Sequence, residues 1–481
     1  MISVTNFLRK NEVRFDQYKL TNKWIIKDQI LHNRDVSQQI LEKSHSEKIP
    51  YEEARERAEE YVDEIVPTFN MLSYYKFGFS IARFLLKFLY QIVIDEHGKE
   101  KTKEIPEDTL LVYVMNHRSN IDYLLVAYML AENISVSYAV GEWARVFPLE
   151  LIFKSFGAYF VRRNYRDPLY HSILRQYVRL ISKNNVTQGI FIEGALSRTG
   201  GFRKPKTGLL DYILESYAEE DSSKKIVFVP VGINYDWIVE DKTLISEWKE
   251  GRQSMSMGEH MLSLLKIVIK SPYLLIINTL RVLTGRVKEH GYVSVKFGDP
   301  IPVENLADMQ KFAELDSYGE RRGQLKQIGH SLLDKIGDVI PVTPASLLSI
   351  SLLQADTKKI SKTHCITLMR RNLEQLESGG AQLLFGPEYD PQKESRIKLE
   401  SEKLFLREEL LDFERDLIKG DEVEKTLQLA VEIFVTRKIV KVQKNNIIIN
   451  PDKRDYLEYY ANSIRHYLDQ QEYVYAEQTS G

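Results

Sequence analysis

A single cysteine, Cys365, stands among 481 residues. No intramolecular disulfide can form, and nothing in cysteine usage points to an oxidising compartment. Nor is there an uninterrupted apolar run of about 18 residues, the length a spanning helix needs. The nearest approaches, residues 72–94 and 261–283, are broken by lysines and arginines, and no transmembrane segment is expected. The opening stretch MISVTNFLRKNEVRFDQ has neither an apolar core nor a small-residue cleavage site, and no signal peptide is read from it. Charge of one sign is not in excess, with 66 Lys and Arg against 68 Asp and Glu. That balance argues against a general polyanion binder, while leaving room for a local basic patch. The ten histidines show no close grouping with cysteine or aspartate at zinc spacing, so no metal is expected. The patterns G-x-G-x-x-G, G-x-x-x-x-G-K and G-x-S-x-G are missing, which removes the common dinucleotide, phosphate-loop and serine-hydrolase readings. His364 precedes Cys365 without a glycine turn to frame the pair, and an ordinary thiol is expected there. The acid-rich stretch 400–416 argues against a DNA-binding face for the C-terminal end, and no nucleic-acid partner is expected.

What is present reads as a globular chain. Hydrophobic residues make up 43%, enough to fill the two or three cores that this length suggests. The first part is charged and helical, with a helix over 51–66 opening after Pro50 and stopped by Pro67. In the middle, short β-branched and aromatic runs at 109–115, 134–140, 157–162, 187–192, 226–233 and 292–297 alternate with helical patterns. Strands interleaved with helices indicate an α/β sheet domain. The expected division is a helical N-terminal region over 1–89, an α/β domain over 90–305 and a mostly helical C-terminal domain over 306–481. The last part contains a hairpin, residues 438–443 and 446–450 around Lys444-Asn445, followed by a helix at 454–468.

The run Val114-Met115-Asn116-His117-Arg118-Ser119-Asn120-Ile121-Asp122 carries the main chemistry. A β-rich run ends at Met115 and a helical pattern starts near Ile121. His117 is therefore expected where a strand gives way to a helix, the place where open α/β sheets hold their ligands. On one continuous helix the two side chains would lie about 140° apart. They can meet only if His117 sits in the turn and Asp122 in the first helical turn. Then the carboxylate can hold one imidazole nitrogen and leave the other to take a proton from an acceptor hydroxyl. A second reading stays open, because Ser119-x-x-Asp122 is also a helix-capping pattern that needs no catalysis.

Three further segments follow in order. Phe156-Gly157-Ala158-Tyr159-Phe160-Val161-Arg162-Arg163 ends a strand in two arginines. Phe191-Ile192-Glu193-Gly194-Ala195-Leu196-Ser197-Arg198-Thr199-Gly200 ends another in a polar turn, with Phe202-Arg203-Lys204-Pro205-Lys206-Thr207-Gly208 behind it. Val229-Pro230-Val231-Gly232-Ile233-Asn234-Tyr235 closes a third. Cations and backbone N–H groups after strands suit a phosphate-bearing substrate, although any one of these segments alone reads better as a solvated loop.

Together the four segments resemble the glycerol-3-phosphate acyltransferase family, in particular its long bacterial membrane-bound type and the related dihydroxyacetone-phosphate acyltransferases. The order is that of the family's His-x4-Asp, Gly-x-x-Phe-Ile-Arg-Arg, Phe-x-Glu-Gly-x-Arg-Ser-Arg and late Val-Pro motifs. Val342-Thr343-Pro344-Ala345 and Leu457-Glu458-Tyr459-Tyr460-Ala461-Asn462-Ser463-Ile464-Arg465-His466 extend the likeness, so that it covers roughly residues 70–470. The resemblance implies an acyltransferase-type central mixed β-sheet flanked by helices. It implies His117 as general base and Asp122 as its orienting partner. Arg162 or Arg163, with Glu193, Gly194, Ser197, Arg198 and Lys206, would bind the acceptor, and Pro230 would shape the thioester side. No cofactor is implied beyond the acyl-CoA or acyl carrier protein thioester as co-substrate, and no covalent acyl-enzyme. The implied product is lysophosphatidic acid, the first intermediate of phospholipid synthesis. One residue departs from the pattern: Leu196 stands where the family has an arginine. That substitution motivates two alternatives, a different phosphorylated acceptor such as dihydroxyacetone phosphate, or a catalytically degenerate membrane-bound scaffold.

A lipid product calls for contact with a bilayer. As a helix, residues 72–94 would set Ser73, Lys76, Ser80, Arg83, Lys87 and Gln91 on one stripe beside a wide aromatic and aliphatic face. Such a helix suits either a headgroup region or a protein core. The cation-edged stretch 261–283 supplies a second interfacial candidate, and a peripheral or monotopic site on the cytoplasmic face of the cell membrane is expected.

Overall fold

The computed structural model describes residues 22–67, 89–131, 137–141, 157–162, 165–218, 225–250, 291–315, 318–383 and 422–468, with Tyr18, Leu86, Glu150, Phe153 and Lys154 besides. In chain order, three helices come first: α1 (Lys23–Leu31), α2 (Arg34–Glu47) and α3 (Tyr51–Ile65). The sheet region runs β1 (Gln91–Ile94), α4 (Glu96–Lys101), β2 (Leu110–Met115), α5 (Asp122–Ala131), β3 (Ser137–Gly141), β4 (Tyr159–Val161), α6 (Pro168–Lys183) and β5 (Gln188–Phe191). It continues through α7 (Gly208–Ala218), β6 (Ile226–Tyr235), α8 (Asp241–Lys249), β7 (Tyr292–Phe297) and β8 (Ile301–Pro302). Then follow α9 (Met309–Ala313), α10 (Tyr318–Gly337), α11 (Pro344–Gln354), β9 (Lys359–Ser361), α12 (Lys362–Ser378), α13 (Glu422–Thr436), β10 (Val440–Gln443), β11 (Asn446–Ile449) and α14 (Arg454–Asn462).

The main sheet has the order β1-β7-β6-β2-β5-β3-β4, with β8 on the free part of β6. Strands β6, β2, β5, β3 and β4 run parallel, whereas β7 and β8 run antiparallel to β6, and β1 follows β7. This is the mixed sheet that the resemblance implies. All six residues of β2 are buried, as expected of a central parallel strand covered on both faces. Proline in the centre of a sheet normally forfeits a ladder bond. Pro230 escapes that cost because its neighbours change along one edge: β8 pairs at Val227 and Phe228, β7 from Val231 onward. In the gap between them its carbonyl accepts from Gly298 N–H at 2.8 Å, and the missing N–H has no ladder partner to lose.

Helix α6 shows why the flanking layer forms. Asp167 caps it by accepting from Leu169 N–H, Pro168 starts it, and Leu169, Tyr170, Ile173, Leu174, Tyr177, Val178 and Ile181 make one buried stripe with the three-and-four spacing of an amphipathic helix. The N-terminal helices α2 and α3 pack on this layer. One cluster of buried residues runs from Ile26 through the sheet to Ile464, so the helical ends share a core with the sheet. A smaller cluster gathers Tyr123, Tyr138, Val140, Phe153, Ala158 and Phe160, with Phe191 against it.

Three elements differ from the sequence expectation. Gln91–Ile94, expected as the end of an amphipathic helix, is strand β1, paired in parallel with β7. Its β-branched residues find a partner nearly 200 positions away, which overrides the local helical pattern. Strand β9 joins the predicted hairpin, making a three-stranded sheet β10-β11-β9. The last helix stops at Asn462 and continues as a short 3-10 turn over Arg465–Tyr467. Most of 72–94 and all of 261–283 lie outside the described residues. No helix among the described residues is long and apolar enough to cross a membrane.

Candidate active site

Met115 and Phe191 end adjacent parallel strands and are register partners. The two polar turns that follow them, 116–121 and 192–201, therefore leave the same edge of the sheet side by side. Asn116 makes the first turn. Its side-chain amide donates to Ile233 O and accepts from Ile233 N–H, each at 2.8 Å. It thus continues the β2–β6 ladder with a side chain while its own backbone bends away.

Asp122 opens α5 and is fully buried. Its Oδ2 accepts from His117 Nδ1 at 2.9 Å, from Arg118 N–H at 2.7 Å and from Ser119 N–H at 3.0 Å. Its Oδ1 accepts from the Tyr235 hydroxyl at 2.6 Å. The capping and the orienting readings are thus both true of one carboxylate, which ties down the turn and the imidazole together. Two backbone N–H groups already donate to Oδ2, so it faces the ring as an acceptor, and the proton of the imidazole sits on Nδ1 with the lone pair on Nε2. Tyr235 is held protonated: burial first, then the charge of Asp122, push its phenol far above the ordinary range.

The His117 ring stacks on Phe191 with centroids 4.3 Å apart, and Tyr123 meets it edge-on at 5.2 Å. The Tyr123 hydroxyl lies 3.2 Å from Nε2, and the imidazole is 1% exposed. Ser119 Oγ and Asn120 N–H bind the two oxygens of Glu240, at 2.7 and 3.2 Å. Burial raises the Glu240 carboxyl.

Glu193 acts as a clamp between the two turns. One oxygen accepts from His117 N–H at 3.0 Å and the other from Arg203 N–H at 2.8 Å, while Ser197 N–H returns a bond to His117 O at 3.2 Å. Burial raises the Glu193 carboxyl, opposed by the nearby Arg118 charge. Gly194 turns the chain at φ 65, and a Cβ there would come 2.8 Å from Lys206 Cγ. Lys206 itself is exposed, with its backbone N–H on Ile192 O at 2.7 Å. Ser197 Oγ donates to Gly201 O, and Arg198 Nε pairs with Glu247 at 2.9 Å.

Arg118 has a different position from what its sequence neighbourhood suggests. Its guanidinium is buried in this turn, bonded through Nη1 to Gly200 O and 5.7 Å from the Phe202 ring. Its Nε and Nη2 have no hydrogen-bond partner. The C-terminal helix closes over the same turn: Tyr459 OH donates to Ser197 O at 3.3 Å and Asn462 Nδ2 to Thr199 O at 2.9 Å. Gly200, at φ 81, has to be glycine, because a Cβ would run into the Tyr459 carbonyl.

The structure brings His117, Asp122, Glu193, Gly194, Ser197 and Lys206 to one place. It does not bring Arg162 there. That guanidinium follows β4, three strand positions or roughly 14 Å from β2. Glu64 of α3 takes it from two sides, at 2.8 and 2.5 Å, and the rings of Tyr61, Tyr165 and Tyr170 surround it. Arg162 joins the N-terminal helices to the sheet edge in place of the acceptor-binding role the resemblance implies. Arg163 lies outside the described residues. Pro230 lies beside Val114 in the sheet, two residues before Gly232. Among the described residues no group of three or more His, Cys, Asp or Glu side chains is placed to hold a metal ion. Sequence reasoning missed Tyr123, Tyr235, Glu240 and Arg118. Tyr123 and Arg118 carried a signal in adjoining His117 and Asp122, and Tyr235 in ending the Val-Pro segment, whereas Glu240 carried none.

This arrangement can hold a neutral imidazole with a lone pair turned away from its carboxylate, in a dry setting at the sheet's ligand-binding edge. Residues 93–234, which contain all of it except Tyr235, Glu240, Glu247 and the C-terminal helix, match the acyltransferase family model. Over these residues, which hold the sheet and the pair, the chain is similar to the acyltransferase family. Residues 276–397 match the model of the glycerol-3-phosphate acyltransferase C-terminal region. The glycerol-3-phosphate acyltransferase of Aeromonas hydrophila subsp. hydrophila is 27% identical over 369 residues, 75% of this chain and 43% of the relative. That of Pseudomonas paraeruginosa is 29% identical over 339 residues, 68% of this chain and 38% of the relative. The chain thus spans about two fifths of the length of the curated relatives it matches. The crystal structure of the 1-acyl-sn-glycerophosphate (LPA) acyltransferase PlsC from Thermotoga maritima aligns with 53% of this chain and 77% of its own, at 16% identity and TM-score 0.29, a likeness too distant to carry an argument.

Proposed function

We propose that the chain is a glycerol-3-phosphate O-acyltransferase, moving a fatty acyl group from acyl-CoA or acyl carrier protein to the primary hydroxyl. The observation that carries this reading is the buried His117–Asp122 pair, 2.9 Å apart, with Nε2 opposite the carboxylate. His117 Nε2 takes the hydroxyl proton as the oxygen attacks the thioester carbonyl. The C–S bond then breaks, and the departing thiolate takes that proton from the imidazolium. Lysophosphatidic acid and a free thiol result. General-base catalysis typically contributes ~10²–10⁴-fold, and the negative Asp122 stabilises the imidazolium formed on the way.

Arg118 is the cation this reading assigns to the acceptor phosphate, through Nε and Nη2, in place of the arginine missing at Leu196. Exposed Lys204 and Lys206 add positive charge beside the same turn. A long-chain thioester and a lipid product favour work at the cytoplasmic face of a membrane, with the apolar stretches 72–85 and 261–283 as the contact.

A panel of phosphorylated alcohols, each offered with a long-chain thioester, tests the reading by thiol release and mass identification of the lipid. Glycerol 3-phosphate is expected to be the best acceptor, with turnover cut ~10²–10⁴-fold in a folded His117→Ala protein. Preference for dihydroxyacetone phosphate would move the assignment to that acceptor. Consumption of no acceptor, or normal turnover in the alanine variant, would overturn it.

A further inference from the structure

The lone pair on which the chemistry depends is covered. His117 is 1% and Tyr123 2% exposed, and the Tyr123 hydroxyl sits 3.2 Å from Nε2. With Nδ1–H committed to Asp122, Nε2 is an acceptor, so the phenol donates to it. An acceptor alcohol must present its own hydroxyl to that nitrogen at about 2.6–3.2 Å. Two donors cannot share one lone pair, and the tyrosine occupies the place that the acceptor needs.

We infer that Tyr123 gates His117, holding the base by its hydroxyl in the substrate-free protein and leaving it when the acceptor hydroxyl arrives. This rests on the acyl-transfer reading above for the identity of the incoming alcohol, but not for the existence of the gate. The surroundings provide another partner for the hydroxyl. Tyr123 belongs to the small aromatic cluster with Tyr138, Val140, Phe153, Ala158 and Phe160, separate from the main core. Its ring stacks on Tyr138 at 6.3 Å and meets Phe153 and Phe191 edge-on at 6.0 and 5.2 Å. The Tyr138 hydroxyl is buried without a hydrogen-bond partner, on a ring that stacks with Tyr123, and so offers the Tyr123 hydroxyl a second partner. Tyr123 begins the second residue of α5, directly after the carboxylate that fixes His117. The ring can therefore turn about its own χ angles while Asp122 keeps the imidazole still. Tyr123 is a positioning residue in this account: it sets when Nε2 is available and takes no proton in the reaction.

A net neutral hydrogen bond is equivalent to a factor of about 2–12, and the gate predicts the same factor in two independent measurements. Tyr123→Phe keeps the ring and removes the bond. The KM for the acceptor is expected to fall by that factor. The rate at which diethylpyrocarbonate modifies His117, read by mass spectrometry of the His117 peptide without any substrate, is expected to rise by it, because modification follows the open population. A fluorinated tyrosine placed at 123 is a stronger donor and preserves the fold if the phenylalanine does not; it is expected to raise KM and slow modification. A drop in kcat with Tyr123→Phe at unchanged KM, or an unchanged modification rate, would overturn the gate. Since the modification rate needs no acceptor, a failed acyl-transfer reading with a rate that still responds is distinguishable from a failed gate.

Discussion

Replacing Asp122 by asparagine removes a charge and keeps nearly every hydrogen bond. With its carbonyl oxygen on the side of His117, Arg118 and Ser119, the amide still accepts from Nδ1–H and both backbone N–H groups. Its NH2 group then faces the Tyr235 oxygen, which now accepts where it donated before at 2.6 Å. The tautomer of His117 is preserved, and what is lost is the attraction between carboxylate and imidazolium. The Nδ1–Oδ2 distance of 2.9 Å puts the two charge centres about 4 Å apart, which at an effective dielectric of about 20 amounts to roughly 4 kcal/mol. A fall in kcat of about 10³ follows, with the melting temperature within a few degrees of the parent. The assay is steady-state acylation in a double-mutant cycle with His117→Ala, where Asp122→Asn should cost nothing further because Asp122 acts only through the imidazole. A tenfold or smaller loss in the single variant, or an undiminished loss in the alanine background, would refute this account.

Other consequences are equally direct. Gly200→Ala forces a left-handed residue against the Tyr459 carbonyl, so denaturant unfolding should report a loss of about 3 kcal/mol or more together with lost activity as the C-terminal helix lifts from the turn. Arg118→Lys keeps one donor for Gly200 O and loses Nε and Nη2. At about 1.5–3 kcal/mol for a charge-assisted bond it should raise the KM for a phosphorylated acceptor at least tenfold and leave that for the thioester unchanged. His466 is buried against Gly337 O at 3.0 Å, and burial pulls its imidazole down to about 4. Its folded pKa is below the unfolded one, so its contribution is present above pH 6.5 and lost as pH falls through about 4, some 3 kcal/mol in all. Asp236, raised by burial to about 6, has the opposite sign, its contribution being lost as pH rises through that value. His466→Gln should therefore flatten the acid side of a stability–pH curve measured by denaturant titration, and an unchanged slope would contradict the assignment.

The local features of this site were written in short stretches of chain. A β-branched run ending at Met115, a polar turn, and an aspartate in the first turn of a helix are enough to place a histidine within reach of a carboxylate. The same local logic foretold most strands of the mixed sheet and the hairpin around Lys444, because period-two and period-3.6 patterns are properties of neighbouring residues. Tertiary structure alone decided the rest. Tyr235 reaches Asp122 across 113 positions, Glu240 holds the turn across 121, and Asn462 closes it across 263. Arg162, whose sequence context resembles a substrate contact, is claimed by Glu64 from 98 positions away. Gln91–Ile94 reads as helix by its neighbours and becomes a strand because β7 offers it backbone partners. Hydrophobic period and helix caps are local energies and survive reading one residue after another. The partner of a buried charge, or the neighbour of an edge strand, depends on which distant segments the closed core brings to the same point.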